Sequence, residues 1–570
     1  MKNKNWVREK GDISLITALT LAIFVTALIA LLLNLPIEQS YFTRRNQARD
    51  QVLYATQIGI KSILTTARYY LKEEIGKLKV SEITEDRMRN ILSSSNPNFI
   101  NTIQFIYTNT AQVDPTTIYS LNSYSFTLSA YSASVRGGVT DYITYTYNYT
   151  IVCTGRKVNF SPAVTLTVTV TGKIEGVLRR ENFARFALFT DLHQMADGST
   201  VWFTDRTRFY GPVHTNGEFA FAYTPQFFDI VTSSAATAMF YNRGRTVRLS
   251  ADRNPPNDVP FFAQGFIRGA SKIDLPPTTY TQLYAALSYF PGDVFPTYSP
   301  TYSIIRSYLG LPVNNNPPPD GVYTITIANG GGIYVKGDAS IEFGKDSSGR
   351  AVYTIAQGNN TYVFTIDSEN NKTYVKIGNN TIVINKVPNG VIYVDGNITS
   401  IKGLIQKDQR LSVIAANTIT ITNNLVYEDD PRNNPNAINV LGLLAQNGNI
   451  WIDTKNPDGT PLRDPNIHGV LMAPNGVVQV MNYNTRSPAG DVHLLGGIIS
   501  KRYGAFGTFT TDRNGNPVPK TGYGRDFWYD YRMRTGYAPP YFPTTNRTIQ
   551  EGNPQTQRWV TIDSWVESWR

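Results

Sequence analysis

ISLITALTLAIFVTALIALLLNL, residues 13–35, runs 23 positions without a charge. As an α-helix it is about 35 Å long, enough to cross a hydrocarbon core of about 30 Å. Lys2, Lys4, Arg8 and Lys10 precede it, against only Glu9 and Asp12. That excess predicts a cytoplasmic N-terminus, with everything after residue 36 on the outer side, in the periplasm or beyond. A cleaved secretory signal is the alternative. Against it, the apolar run exceeds the usual ~7–15 residues, and no A-x-A site follows. No second run of this kind occurs downstream, so the expected topology is single-pass. Beyond Pro36 the helical pattern resumes. Leu53, Ile60, Leu64, Ala67, Leu71, Ile75 and Leu78 recur at spacings of seven, three and four, one apolar stripe along a helix. The segment divides into a basic leader, 1–12, and a transmembrane and amphipathic stalk helix, 13–80.

A short basic leader ending in Gly11, then an uncut apolar helix running into an amphipathic one, resembles the N-terminus of type IV pilin-like proteins. The resemblance implies cleavage between Gly11 and Asp12 by a prepilin-type peptidase. It also implies packing of the helix against other pilin-like subunits in a filament. The family's usual glutamate at the fifth position after the cut is Ile16 here, and the first position is Asp12 in place of Phe or Met. Minor pilins of the PilX and GspK types can lack that acid, and the chain resembles them in this respect.

The rest of the chain is unlike a membrane domain. Of 570 residues, 41% are hydrophobic, too few for a polytopic membrane protein, and 12% are aromatic, too many for a disordered one. Gly (43), Pro (32) and Tyr (35) are plentiful, which favours strands and turns. The net charge is +10, but residues 1–80 carry +6 of it. The excess sits beside the apolar run rather than in a basic groove, so nucleic acid is not an expected partner and membrane lipid is. The single cysteine, Cys153, excludes an intramolecular disulfide framework and reads as a small buried hydrophobe.

Residues 81–185 predict an antiparallel β domain. Val164, Leu166, Val168 and Val170 alternate cleanly with polar residues, as do Ile143, Tyr145 and Tyr147 with Tyr142, Thr144 and Thr146. Gly137-Gly138 suits a hairpin turn. Residues 186–320 read as an irregular β region rich in Pro and aromatics. From 321 to 510, short apolar runs alternate with polar turns at Gly396, Asn417, Asn447, Asn475 and Lys501, in steps of 21, 30, 28 and 26 residues. Each unit is too small to bury its apolar face alone and must stack on the next. The expected fold is mainly β with a long N-terminal α-helix: a pilin-like helix plus antiparallel sheet, then a right-handed parallel β-helix. A β-sandwich body is the alternative. Residues 344–388 alternate by two between Gly-Asn and Asn-Asn turns and read as inserted hairpins. Residues 511–570 read as a C-terminal cap, with Ile562, Trp565, Val566 and Trp569 on one face of a short helix.

Four downstream segments, FYGPVHTNGEF (209–219), LLGGIISKRYGAFG (494–507), TGYGRDFWYDYRM (521–533) and PPYFP (539–543), are together similar to an uncharacterised domain of bacterial membrane-anchored, PilX-like proteins. The resemblance extends over 185–545 and implies location, not chemistry.

No catalytic signature emerges. His193, His214, His468 and His493 form no H-E-x-x-H pair, and there is no G-x-S-x-G, P-loop or S-x-x-K set. Gly211, His214, Asn216 and Gly217 stand out as a motif of unknown role. A catalytic His214 would need a carboxylate such as Asp191 or Asp205; otherwise it is a buried histidine satisfied within a tight turn. Asp453, Asp464, Arg463 and Asp491 are the residues a β-helical carbohydrate-active enzyme would draw on. Asp512 to Asn516 alternates oxygen ligands as a calcium loop does, but no Glu closes it, and a polar hairpin turn is the simpler reading. The expected function is a membrane-anchored, minor pilin-like subunit in assembly of a type IV pilus or related filament, or in adhesion, with no enzymatic activity, cofactor or metal. A membrane-tethered carbohydrate-active enzyme or adhesin is the alternative, and any surface ligand stays open.

Overall fold

A computed structural model describes all residues except 1–4, 77, 79–82, 111, 137–138, 290–297, 512, 514–516 and 552–559; for residues 5–16, 32–33, 35–37, 76, 106–110, 112, 134–136, 139–142, 179–180, 509, 511, 517 and 546–551 it describes the backbone alone. The protein is mainly β, with a few helices and both antiparallel and mixed sheets. The chain divides into two compact units. One comprises Met1–Ser132, Ile143–Leu178 and Gln550–Arg570, the other Ala133–Tyr142 and Arg179–Ile549.

In the first unit a single helix, α1, runs through Asn5–Gly76 and passes Pro36 without ending. Its two halves differ. Residues 17–31 are exposed throughout, with Leu19 at 64%, Phe24 at 67% and Leu31 at 61%. Further along, Ile60, Leu64, Ala67, Leu71 and Ile75 are buried, because their spacing brings them to one face. Among the described residues no helix is long and apolar enough to cross a membrane. The expected span 13–35 includes positions whose side chains lie outside the description, as do those of Gly11 and Asp12.

That buried face packs with α2 (Glu85–Ile91) and α3 (Pro97–Thr110) into one core with a sheet. The sheet carries Thr117–Arg136, Val139–Lys157 and Thr165–Asn182 side by side. Ile143, Tyr145, Tyr147, Tyr149, Ile151 and Cys153 turn inward at period two, as do Val164, Leu166, Val168 and Val170. Approach is close enough that a Cβ at Gly155 would lie 2.4 Å from Thr56 Oγ1.

The C-terminal segment corrects an expectation. Val560–Trp569 is a strand, not a helix, and pairs antiparallel with Thr165–Asn182, Trp569 facing Leu166 and Val560 facing Ile174. The four apolar positions follow the helical period, and as a strand they divide between two faces, Trp565 and Trp569 half-buried and Ile562 and Val566 exposed; the β-branched and aromatic content decides for the strand once an edge is available. The strand therefore belongs to the first unit, with Gln550–Arg570. Arg49 of α1 lies 4.6 Å over the Trp569 ring.

The second unit is built on parallel ladders. One joins ten strands in the order Ile333–Lys336, Val391–Asp395, Arg410–Ala415, Val440–Ala445, Asn466–Ala473, Asp491–Arg502, Leu188–Leu192, Val213–Thr215, Val231–Ser233 and Phe266–Ile267. A second runs through Ala339–Lys345, Ile398–Ile405, Ile419–Tyr427, Ile450–Ile452 and Val478–Val480. The polar turns align as their spacing predicts: Asn417 N–H donates to Gly396 O, Asn447 N–H to Ala416 O, Asn475 Nδ2 to Gln446 O and Lys501 N–H to Gly476 O, at 2.9–3.2 Å. The insert is an antiparallel meander of Ala351–Gln357, Asn360–Asp367, Lys372–Ile377 and Asn380–Ile384.

The boundary at 321 does not mark a change of architecture. Residues 188–267 continue the first ladder and add two short parallel ones: Trp202–Phe203, Ala220–Phe221 and Ala238–Phe240, and Arg208–Phe209, Gln226–Phe227 and Phe261–Phe262. The repeat is visible in Phe203, Phe209, Tyr210 and Val213, which recur 18 residues later as Phe221, Phe227, Phe228 and Val231. The rings stack accordingly, Phe209 on Phe227 at 5.9 Å and Tyr210 on Phe228 at 4.9 Å.

Candidate functional site

The FYGPVHTNGEF motif falls where three strands stack. Parallel register places Phe189, His214 and Thr232 side by side. His214 is fully buried, its ring stacked on Phe189 at 5.2 Å. Its Nδ1 lies 2.7 Å from Thr232 Oγ1 and its Nε2 3.0 Å from Asn216 Oδ1. Asn216 is oriented by its other bonds: Nδ2 donates to Asp191 Oδ1 and to Ile273 O, and Oδ1 accepts from Ile273 N–H. Oδ1 is an acceptor, so Nε2 of His214 carries a proton, and the Thr232 hydroxyl at Nδ1 also lies 3.5 Å from Val213 O. The imidazole is thus fully buried with both ring nitrogens within hydrogen-bonding distance of a partner. Asp191 is joined to it through Asn216, and Asp205 lies on an exposed turn.

The glycines of the motif serve packing. A Cβ at Gly211 would stand 2.4 Å from the Tyr529 ring, whose hydroxyl donates to Arg185 O at 2.7 Å. Gly217 donates its N–H to Thr215 Oγ1 at 3.0 Å, and a Cβ there would meet His193 N at 3.1 Å.

His193 gives no sign in the sequence of its surroundings. It sits in an aromatic box of Phe203 (4.6 Å), Phe219 (4.8 Å) and Tyr503 (5.6 Å). Both ring nitrogens are buried without a hydrogen-bond partner. Burial pushes its pKa down to about 3, offset in part by the Val201 backbone, which stays short of hydrogen-bonding geometry. His468 accepts the Tyr427 N–H at Nδ1 (3.1 Å), and burial pushes it down to about 4.

The carboxylates considered for catalysis separate into two groups. Asp453 is held by Arg486 (2.8 Å) and Lys455 (2.7 Å). Asp464 accepts the Asp491 N–H at 2.9 Å and lies 3.3 Å from Arg463. His493, in register with Asp526, places Nδ1 2.7 Å from that carboxylate and Nε2 4.0 Å from Asp464. Among the described residues no three His, Cys, Asp or Glu side chains are grouped to hold a metal ion. Of the suggested calcium loop, residues 512 and 514–516 lie outside the described residues; the flanking strands Gly507–Thr511 and Pro517–Gly522 pair antiparallel.

A family model described as a domain of unknown function (DUF4900) matches residues 144–236. That span contains the FYGPVHTNGEF motif and only the first part of 185–545. No curated protein matches the chain. Among solved structures, the competence-associated pilin ComZ from Thermus thermophilus is similar at 12% identity and a TM-score of 0.30, over 92% of this chain and 98% of that one. A likeness of that size carries no argument here.

Proposed function

We propose that the chain is a minor pilin-like subunit of the PilX type. In this reading α1 anchors it in the cytoplasmic membrane with the N-terminus inside, and packs against other pilin-like helices in a type IV pilus or related filament. The exported body, an antiparallel unit joined to a right-handed parallel β-helix, acts in assembly or adhesion without catalysis. The observation that supports this most is the contrast along α1. Its later turns bury their apolar stripe in a sheet, whereas residues 17–31 leave Leu19, Leu21, Ile23, Phe24, Leu28 and Leu31 exposed. Each large apolar side chain left in water forgoes about 1.5–3 kcal/mol of burial. A helix bare on all sides is suited to lipid or to other helices, not to solvent.

Alkaline phosphatase fused after residue 80 is expected to be active, and to lose activity when residues 13–35 are deleted. Activity of a cytoplasm-dependent reporter at the same junction would overturn the topology. Intact mass of the native protein reads processing between Gly11 and Asp12 separately: a mass that retains residues 1–11 removes the cleavage step and leaves an uncut anchor.

A further inference from the structure

The antiparallel insert continues from the first strand of the second ladder, Ala351–Gln357 pairing antiparallel with Ala339–Lys345, while the parallel ladders resume beyond it: Ile333–Lys336 with Val391–Asp395, and Ala339–Lys345 with Ile398–Ile405. Between the insert, the turns before the next two ladder strands and the segment at 540–541 lies an open cavity of about 420 Å³. That is within the range of small-molecule sites.

Its polar groups are not spent on one another. Gln409, only 8% exposed, accepts the Tyr353 hydroxyl at Oε1, and its amide nitrogen meets no acceptor among the described residues. Asp408 takes one bond, from Gln406 Nε2 to Oδ2 at 3.2 Å, and pairs with no cation among the described residues. Arg410 donates from Nη2 to Ala538 O at 3.2 Å and lies 4.8 Å over the Tyr537 ring, again without a carboxylate partner among the described residues. An amide donor, an acceptor carboxylate and a donor guanidinium thus line one hollow with no net charge between them.

The apolar side is held with equal care. Tyr541 adopts φ = 54°, costly for a residue with a Cβ and persistent only where the surroundings impose it. Here Gln282 Nε2 donates to its carbonyl at 2.5 Å. Gly390, at φ = 88°, lines the cavity too: a Cβ there would stand 2.5 Å from Arg410 O and 2.9 Å from Pro540 Cγ.

We propose that this cavity binds a neutral saccharide of one or two rings. Hydroxyls use donors and acceptors together, and the C–H face of a sugar suits a fixed aromatic wall. A phosphate or carboxylate ligand would be opposed by Asp408, and a cation by Arg410. The proposal does not depend on how the chain is anchored.

The test is calorimetric titration of the full-length protein, in a detergent without a sugar headgroup, with glucose, N-acetylglucosamine, cellobiose and, as a zwitterionic contrast, glycylglycine. Saturable binding of at least one saccharide is expected. Asp408→Asn and, from an exposed turn at the rim, Ser368→Trp should each weaken it tenfold or more with the melting temperature unchanged. Absence of saturable saccharide binding, tighter binding of glycylglycine, or saccharide binding that survives both variants would overturn the proposal.

Discussion

Acid should loosen the second unit well before its carboxylates are titrated. His193 and His468 are both buried, with pKa values near 3 and 4 against an ordinary value near 6.5. The unfolded chain therefore binds protons that the folded one refuses. Stability from these two groups is complete above pH 6.5, falls as the pH drops below it, and levels off once the pH passes their folded values. At pH 5 each costs about 2 kcal/mol, roughly 4 kcal/mol together. With a urea slope of about 3 kcal/mol per M, the unfolding midpoint should fall by roughly 1 M between pH 7.5 and pH 5. His193→Phe isolates one of the two. It removes two buried nitrogens that nothing satisfies and leaves a ring in a box of rings. The variant should match the parent or exceed it at pH 7.5 and lose about 2 kcal/mol less on going to pH 5. Carboxylate titration is common to both proteins and cancels in the difference. Urea midpoints measured by tryptophan fluorescence across that range are sufficient. Equal pH dependence in parent and variant would refute the claim that His193 is held neutral by burial.

Two packing predictions follow from the ladder. Gly442→Val should cost about 1–3 kcal/mol by overpacking, because a Cβ at Gly442 already lies 2.5 Å from the Phe542 ring; an unchanged melting temperature would contradict that contact. His214→Gln should cost about 1–3 kcal/mol through its lost stack and ring hydrogen bonds, yet leave any filament-dependent phenotype intact below the variant's melting temperature. Loss of that phenotype in a protein of unchanged stability would give His214 a role beyond packing.

What could be read from the residues depended on how far apart the deciding contacts lie along the chain. The stripe Ile60, Leu64, Ala67, Leu71 and Ile75 is legible because a helix brings near neighbours to one face. Turn alignment at Asn417, Asn447 and Asn475 is legible because each strand–turn unit there is long enough to show its period. Residues 188–267 hide the same pairing because many of their strands are only two or three residues long, too short for alternation to register. The 18-residue return of Phe203, Phe209 and Val213 was the available signal. The box around His193 lay beyond reach for another reason: Tyr503 arrives from a strand–turn unit some 300 residues later, placed there by the pairing of Asp491–Arg502 with Leu188–Leu192. The same argument accounts for FYGPVHTNGEF. A histidine between glycines looks like chemistry when read alone. In parallel register each of its unusual residues has a neighbour one ladder strand away, or from a distant segment, that requires it: Phe189 and Thr232 for His214, Tyr529 for Gly211, Ile273 for Asn216. Specific side chains at fixed spacing are what stacking demands when strands are too short to be held by their own length, so a motif of this kind in a ladder protein is first a record of packing. Groups with unspent hydrogen bonds, such as Gln409, Asp408 and Arg410, are the better guide to where such a chain meets another molecule.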